Sequence, residues 1–176
     1  MNTKLMMAML AAGSVLTMTN AFAAAGTVNF NGNILDSACD VDVASQNQVV
    51  VLGDYYKTEF PTTGARTAAT QFNIILKNCP VTVTNAKVRF DGTPDLTNAS
   101  LLAIDTSVAG AATGVAINLM TADKADLPLH GSNSYIYPLS STADNTLNCY
   151  AQYISTAASV TAGPANSVAN FSVEYN

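Results

Sequence analysis

Apolar and polar residues alternate one for one in short stretches along most of this sequence, and few segments show helical spacing. Phe72, Ile74 and Leu76 form one stripe in QFNIILK, and Val88 and Phe90 form another in AKVRFDG. Val115, Ile117 and Leu119 line one face of GVAINLM, and Leu147, Cys149, Ala151 and Tyr153 one face of LNCYAQY. Ala169, Phe171, Val173 and Tyr175 do the same at the C-terminus, and near the N-terminus Val28, Phe30 and Ile34 alternate with Thr27, Asn29, Asn31 and Asn33. Successive side chains of a strand point to opposite faces, so this period marks strands with one face toward a core. The run Val49-Val50-Val51-Leu52 is continuous and β-branched, which predicts a strand buried on both faces.

Turn-rich clusters separate the stretches: Gly53-Asp54, Pro61-Thr62-Thr63-Gly64, Asp91-Gly92-Thr93-Pro94 and Gly163-Pro164. Glycine and proline set the backbone angles that reverse a polypeptide. Seven or so short strands divided by such turns predict an all-β sandwich or barrel. The Ala/Ser/Thr-rich stretch from Ser155 to Ala162 reads as a loop between the last two strands, because VANFSVEYN still needs a sheet to pair with.

The first residues have a different character. Lys4 precedes an apolar stretch from Leu5 to about Leu16, interrupted by Gly13 and Ser14, and Ala21-Phe22-Ala23 follows. That is the layout of a secretory signal peptide over residues 1–23, too short and broken for a membrane span. The mature protein is then expected to start at Ala24, to be soluble and not to insert into a membrane. Twelve acidic residues against seven basic ones, Lys4 included, give a net charge of −5 and leave no basic stripe for nucleic acid. Export also places the three cysteines, Cys39, Cys79 and Cys149, where a disulfide persists. An odd number leaves one thiol over or pairs it between molecules.

Four motifs stand out beyond the alternation, and together they cover essentially all of the mature protein. The first is GTVNFNGNILDSACDV, in which Gly26, Val28, Phe30, Gly32 and Ile34 alternate ahead of Cys39. The second is FNIILKNC, where Phe72, Ile74, Leu76 and Cys79 match F-x-I-x-L-x-x-C. The third is the C-terminal strand, with Tyr175 penultimate and Gly163 fourteenth from the end. The weaker fourth is GVAINLMTADKADLPL, in which Gly114 and Asp123 serve backbone geometry. Taken together, the four motifs resemble the type 1 fimbrial major-subunit family of chaperone–usher pilins.

The resemblance implies an incomplete immunoglobulin-like β-sandwich that lacks its final strand and is completed by donor-strand exchange. Residues 24–36 would be the donor-strand extension and residues 37–176 the pilin domain. The donor set would be Gly26, Val28, Phe30, Gly32 and Ile34, with Gly32 at a point where the groove floor leaves no room for a side chain. Gly163, Ala169, Phe171, Val173, Tyr175 and Asn176 would form the groove edge that a periplasmic chaperone pairs with first, holding the carboxylate of Asn176. At an outer-membrane usher the next subunit's extension would replace the chaperone, giving a homopolymeric fimbrium on the bacterial surface. The same resemblance pairs Cys39 with Cys79. Closing that loop contributes about 4 kcal/mol in the chain-entropy account.

Cys149 departs from the family pattern, which has an aromatic or aliphatic residue there. It shares the face of apolar neighbours, so a buried, inert thiol is expected, with an intermolecular disulfide or a redox-sensitive thiol as the alternative. Nothing points to an enzyme, a metal or another cofactor. His130 is the single histidine and reads as a surface loop residue, and Asp123 and Asp126 read as a solvated turn. A minor adaptor subunit of the same pilus and a free-standing sugar-binding sandwich are the rival readings.

Overall fold

A computed structural model of the protein describes residues 26–32, 34 and 38–175. The signal-peptide residues 1–23, the extension residues 24, 25, 33, 35 and 36, Ser37 and Asn176 lie outside the described residues. The polypeptide divides after Ile34 into two units.

In the first unit, residues 26–32 and 34 form neither helix nor strand, and Val28, Phe30 and Ile34 are 72, 92 and 100% exposed. The alternation supplies the side chains of a strand, but a segment becomes one only when another strand takes up its backbone groups.

The second unit is a two-sheet sandwich. The first sheet runs β1 (Asp40–Val41), β2 (Thr70–Lys77), β7 (Asn145–Ser155), β5 (Val115–Met120) and β4 (Leu102–Ala103) in spatial order. The second runs β6 (Tyr137–Pro138), β3 (Asn85–Gly92) and β8 (Ala169–Tyr175). All neighbours are antiparallel, with Phe72 opposite Cys149, Leu119 opposite Ala151 and Phe90 opposite Phe171. A single helical turn, α1 (Val43–Gln46), starts where the Asp42 carboxylate accepts from the Ala44 N–H at 2.9 Å. The buried Ser45 of that turn takes the Ile75 N–H at 2.9 Å and so holds α1 against β2.

The inward stripes meet as the alternation predicts. Ile74 and Leu76 of β2, Leu147, Cys149 and Ala151 of β7, and Ala86, Val88 and Phe90 of β3 are all buried in one cluster. Burying a large apolar side chain contributes roughly 1.5–3 kcal/mol.

Two segments differ from the sequence expectation. β5 is buried on both faces, not one: Ala116 packs with Leu101 and Ile154 outside the main core, and Asn118 is covered while donating to Asp126 at 2.7 Å. The run Val49–Leu52 is not a buried strand. It has no strand partner among the described residues, and Val49 and Val51 are 89 and 77% exposed while Val50 and Leu52 are half-buried.

Candidate strand-accepting groove

Among the described residues β8 is the edge of its sheet and pairs only with β3. The two strands carry matching stripes: Ala86 faces Tyr175, Val88 faces Val173 and Phe90 faces Phe171. The β3 members are buried, yet Ala169, Phe171, Val173 and Tyr175 are only half-buried. Burial on β8 stops halfway because no strand among the described residues flanks its far side. Every second residue of such an edge also turns its N–H and C=O away from the sheet, a template for one more strand.

A groove of about 900 Å³ opens beside this edge. One rim is the extended segment Val49–Tyr55, and the other runs from Val160 to Phe171. The floor is the sandwich core itself, with Phe72, Phe90, Leu102, Ile117 and Tyr153 showing through. Phe72 and Phe90, from opposite sheets, meet edge to face with ring centroids 5.9 Å apart. Tyr55 meets Tyr153 in the same way at 6.0 Å, and the Tyr153 hydroxyl donates to the Ala165 carbonyl at 2.9 Å, tying the two rims across the floor. Burial, followed by the nearby Tyr55 and Asp54, pushes the Tyr153 hydroxyl pKa up. It therefore remains a hydrogen-bond donor through the neutral range.

The second rim is braced from behind. Ala112 N–H donates to Pro164 O at 2.9 Å, Asp105 N–H to Asn166 O at 2.8 Å, and the Ser167 hydroxyl to Ala103 O at 2.6 Å. Gly163 lies directly on this brace. A Cβ there would collide with the Gly110 carbonyl oxygen and stand 2.8 Å from the Ala112 nitrogen. The glycine fourteenth from the end is thus required by close approach of two backbones.

Of the residues named from the sequence, Gly163, Ala169 and Phe171 line the groove, while Val173 and Tyr175 continue the same strand edge beyond it. The Tyr175 hydroxyl, its pKa raised mainly by burial, donates to the Cys39 carbonyl at 3.4 Å. Cys39 and Cys79 are joined by a disulfide, with 4.2 Å between their Cα atoms. The rim Val49–Tyr55 and the floor aromatics Phe72, Phe90 and Tyr153 were not singled out for the groove by sequence reasoning. Their signals, a continuous β-branched run for the rim and alternation for the aromatics, describe closed core strands equally well.

Outside the groove, the polar residues serve structure. Arg66 holds Asp126 through two 3.0 Å bonds, and the Thr121 hydroxyl donates to Asp123. His130 sits half-exposed in the loop after β5, with Nδ1 2.8 Å from Asp91 Oδ1 and Nε2 2.8 Å from the Gly92 carbonyl. Cys149 is completely buried, 3.6 Å from the Tyr137 hydroxyl, and burial pushes its thiol pKa up to about 11.

The family model described as "Fimbrial protein" matches residues 28–176, taking in the extension, the disulfide and the groove together. The protein belongs to the fimbrial protein family. Among curated fimbrial relatives, a type-1 fimbrial protein (A chain) of Escherichia coli is 38% identical over 152 residues, covering 85% of this sequence and 82% of the relative. A solved Burkholderia pseudomallei antigen and type I fimbria protein is 38% identical, with a TM-score of 0.60 and coverage of 85% of this sequence and 97% of that one. A solved subunit of a chaperone–usher pilus is 27% identical, with a TM-score of 0.65 and coverage of 87 and 96%. The sandwich is therefore the immunoglobulin-like fold of fimbrial subunits, and the protein is a structural fimbrial subunit, of a family that is not enzymatic.

Proposed function

We propose that this subunit polymerises by donor-strand exchange: the extension of one copy fills the groove of the next. The half-buried stripe of β8 beside an unpaired extended rim carries this reading. A strand laid between β8 and Val49–Leu52 would find backbone partners on both sides and aromatic floor beneath.

The extension fits that slot in length and pattern. Gly26 to Ile34 would span about 30 Å in strand form and β8 about 23 Å. Val28, Phe30 and Ile34 project to one face of such a strand, and all three are exposed in the subunit on its own. Covering them and the groove floor contributes roughly 2 kcal/mol per side chain, and the ladder bonds fix the register. Gly32, with no side chain, would let the docked backbone approach the floor closely.

An open groove of this kind invites aggregation. During export through the periplasm a chaperone strand covers it, bound along β8 to the Asn176 carboxylate, and the usher exchanges that strand for the extension of the incoming subunit. Because each contact joins an extension to a groove, and not like to like, the assembly stays open-ended and becomes a surface filament.

The test uses a variant lacking residues 24–36 and a synthetic peptide of that sequence. The peptide should raise the variant's melting temperature by several degrees or more, and a peptide with aspartate in place of Phe30 should not. Phe30→Asp in the full protein should abolish filaments while leaving the folded domain intact. A truncated domain that ignores the peptide already has a complete sheet, and the proposal is then wrong.

A further inference from the structure

Asn31-Gly32 is the one Asn–Gly pair in the sequence. Both residues are exposed and lie outside any helix or strand, and a Cβ added to Gly32 would meet no heavy atom within 4 Å. The backbone nitrogen after an asparagine can attack that asparagine's amide carbon, Cγ, provided the backbone can fold back on itself. A following glycine, with no Cβ and wide backbone freedom, favours the approach most.

We propose that Asn31 is a self-modification site of the unassembled subunit, and that docking of the extension shuts the reaction off. The Gly32 nitrogen gives its proton to solvent base and bonds to Asn31 Cγ. The bond between Cγ and the amide nitrogen Nδ2 breaks, and Nδ2 takes a proton from solvent and leaves as ammonia. Water then opens the five-membered imide. Opening at Cγ gives aspartate, and opening at the backbone carbonyl gives isoaspartate, in which the backbone runs through the former side chain. Water is the only co-reactant.

The folded unit contains its own contrast. Asp91-Gly92, which could form the same ring, lies in β3. There the Asp91 carboxylate is held by His130 at 2.8 Å and Gly92 pairs with Ala169 of β8. A nitrogen fixed in an extended ladder cannot reach back. The protective half of the inference rests on the donor-strand reading, because a docked extension would hold Asn31-Gly32 in such a ladder.

The two products differ in consequence. Aspartate at position 31 lies on the outward face with Asn29 and leaves the alternation intact. Isoaspartate inserts an extra backbone atom between Phe30 and Gly32, which puts everything after it out of phase with the groove. An extension left free too long therefore loses its ability to dock.

The experiment ages the purified mature subunit and filaments assembled from it, side by side in mildly alkaline buffer, and maps both by peptide mass spectrometry with isoaspartyl methyltransferase labelling. Asn31 should convert ahead of every other asparagine in the free subunit and several-fold more slowly in filaments. Gly32→Ala should slow it in the free subunit. The isoaspartate form should remain in the unassembled fraction, whereas Asn31→Asp should assemble like the parent. If Asn31 in the free subunit outlasts or merely matches Asn29, the inference is overturned and the donor-strand reading is untouched. If Asn31 ages equally fast in filaments, docking gives no protection and the inference also falls, while the Phe30→Asp assay separately decides the donor-strand reading.

Discussion

A methyl group at position 163 has nowhere to go, because the backbone of Gly110 to Ala112 occupies its place. Gly163→Ala should push the groove rim away from its brace and cost about 1–3 kcal/mol, read from the urea midpoint of the subunit. Cys149 is governed by burial. With its thiol pKa raised to about 11 and no exposed surface, it should resist iodoacetamide in native protein at neutral pH and react once urea unfolds the subunit. A native subunit labelled at the unfolded rate would contradict its placement in the core. Asp126 gives the pH dependence. The Arg66 guanidinium, helped by Asn118, holds its carboxyl below the usual range. Its contribution is therefore complete above the ordinary carboxylate pKa and disappears as pH falls through the depressed value. The pair is half-exposed, so Arg66→Ala should cost only about 0.2–1 kcal/mol at neutral pH and nothing in strong acid, measured by denaturation at both pH values.

At the scale of elements, β8 and the Val49–Leu52 rim border the same groove, and a single experiment reads both. When the peptide of residues 24–36 occupies the groove of the shortened variant, backbone amides in both segments should gain hydrogen-exchange protection together. Protection of β8 alone would show a strand added to one edge without bridging to the other rim. How far the elements were legible beforehand follows the same physics. β2, β3, β7 and β8 were readable because water and core sort their side chains residue by residue. β1, β4 and β6 are two residues each, too short for a period to register. β5 looked one-sided because the loop carrying Asp126 and the contacts of Leu101 and Ile154 cover its outer face, which no local pattern announces. Val49–Leu52 looked like a core strand because a buried strand and an extended segment along a groove rim can share one composition. Of the groove's C-terminal rim the sequence showed Gly163, Ala169 and Phe171, but the opposite rim and aromatic floor exist only once both sheets are stacked.

At the scale of the whole molecule, the Cys39–Cys79 bridge closes a loop containing α1 and the Val49–Leu52 rim. Replacing both cysteines by serine should destabilise the subunit by about 2–5 kcal/mol, measured as a shift in urea midpoint. Its mechanical effect is separate from that. Tension pulled through the N-terminal segment enters the sandwich at Cys39, just before β1, which holds to β2 by two residue pairs. Alone, so short a strand would peel away. The bridge passes the load to the end of β2, which is zipped to β7 over seven pairs, so a filament under flow stretches a covalent link before it strips a strand.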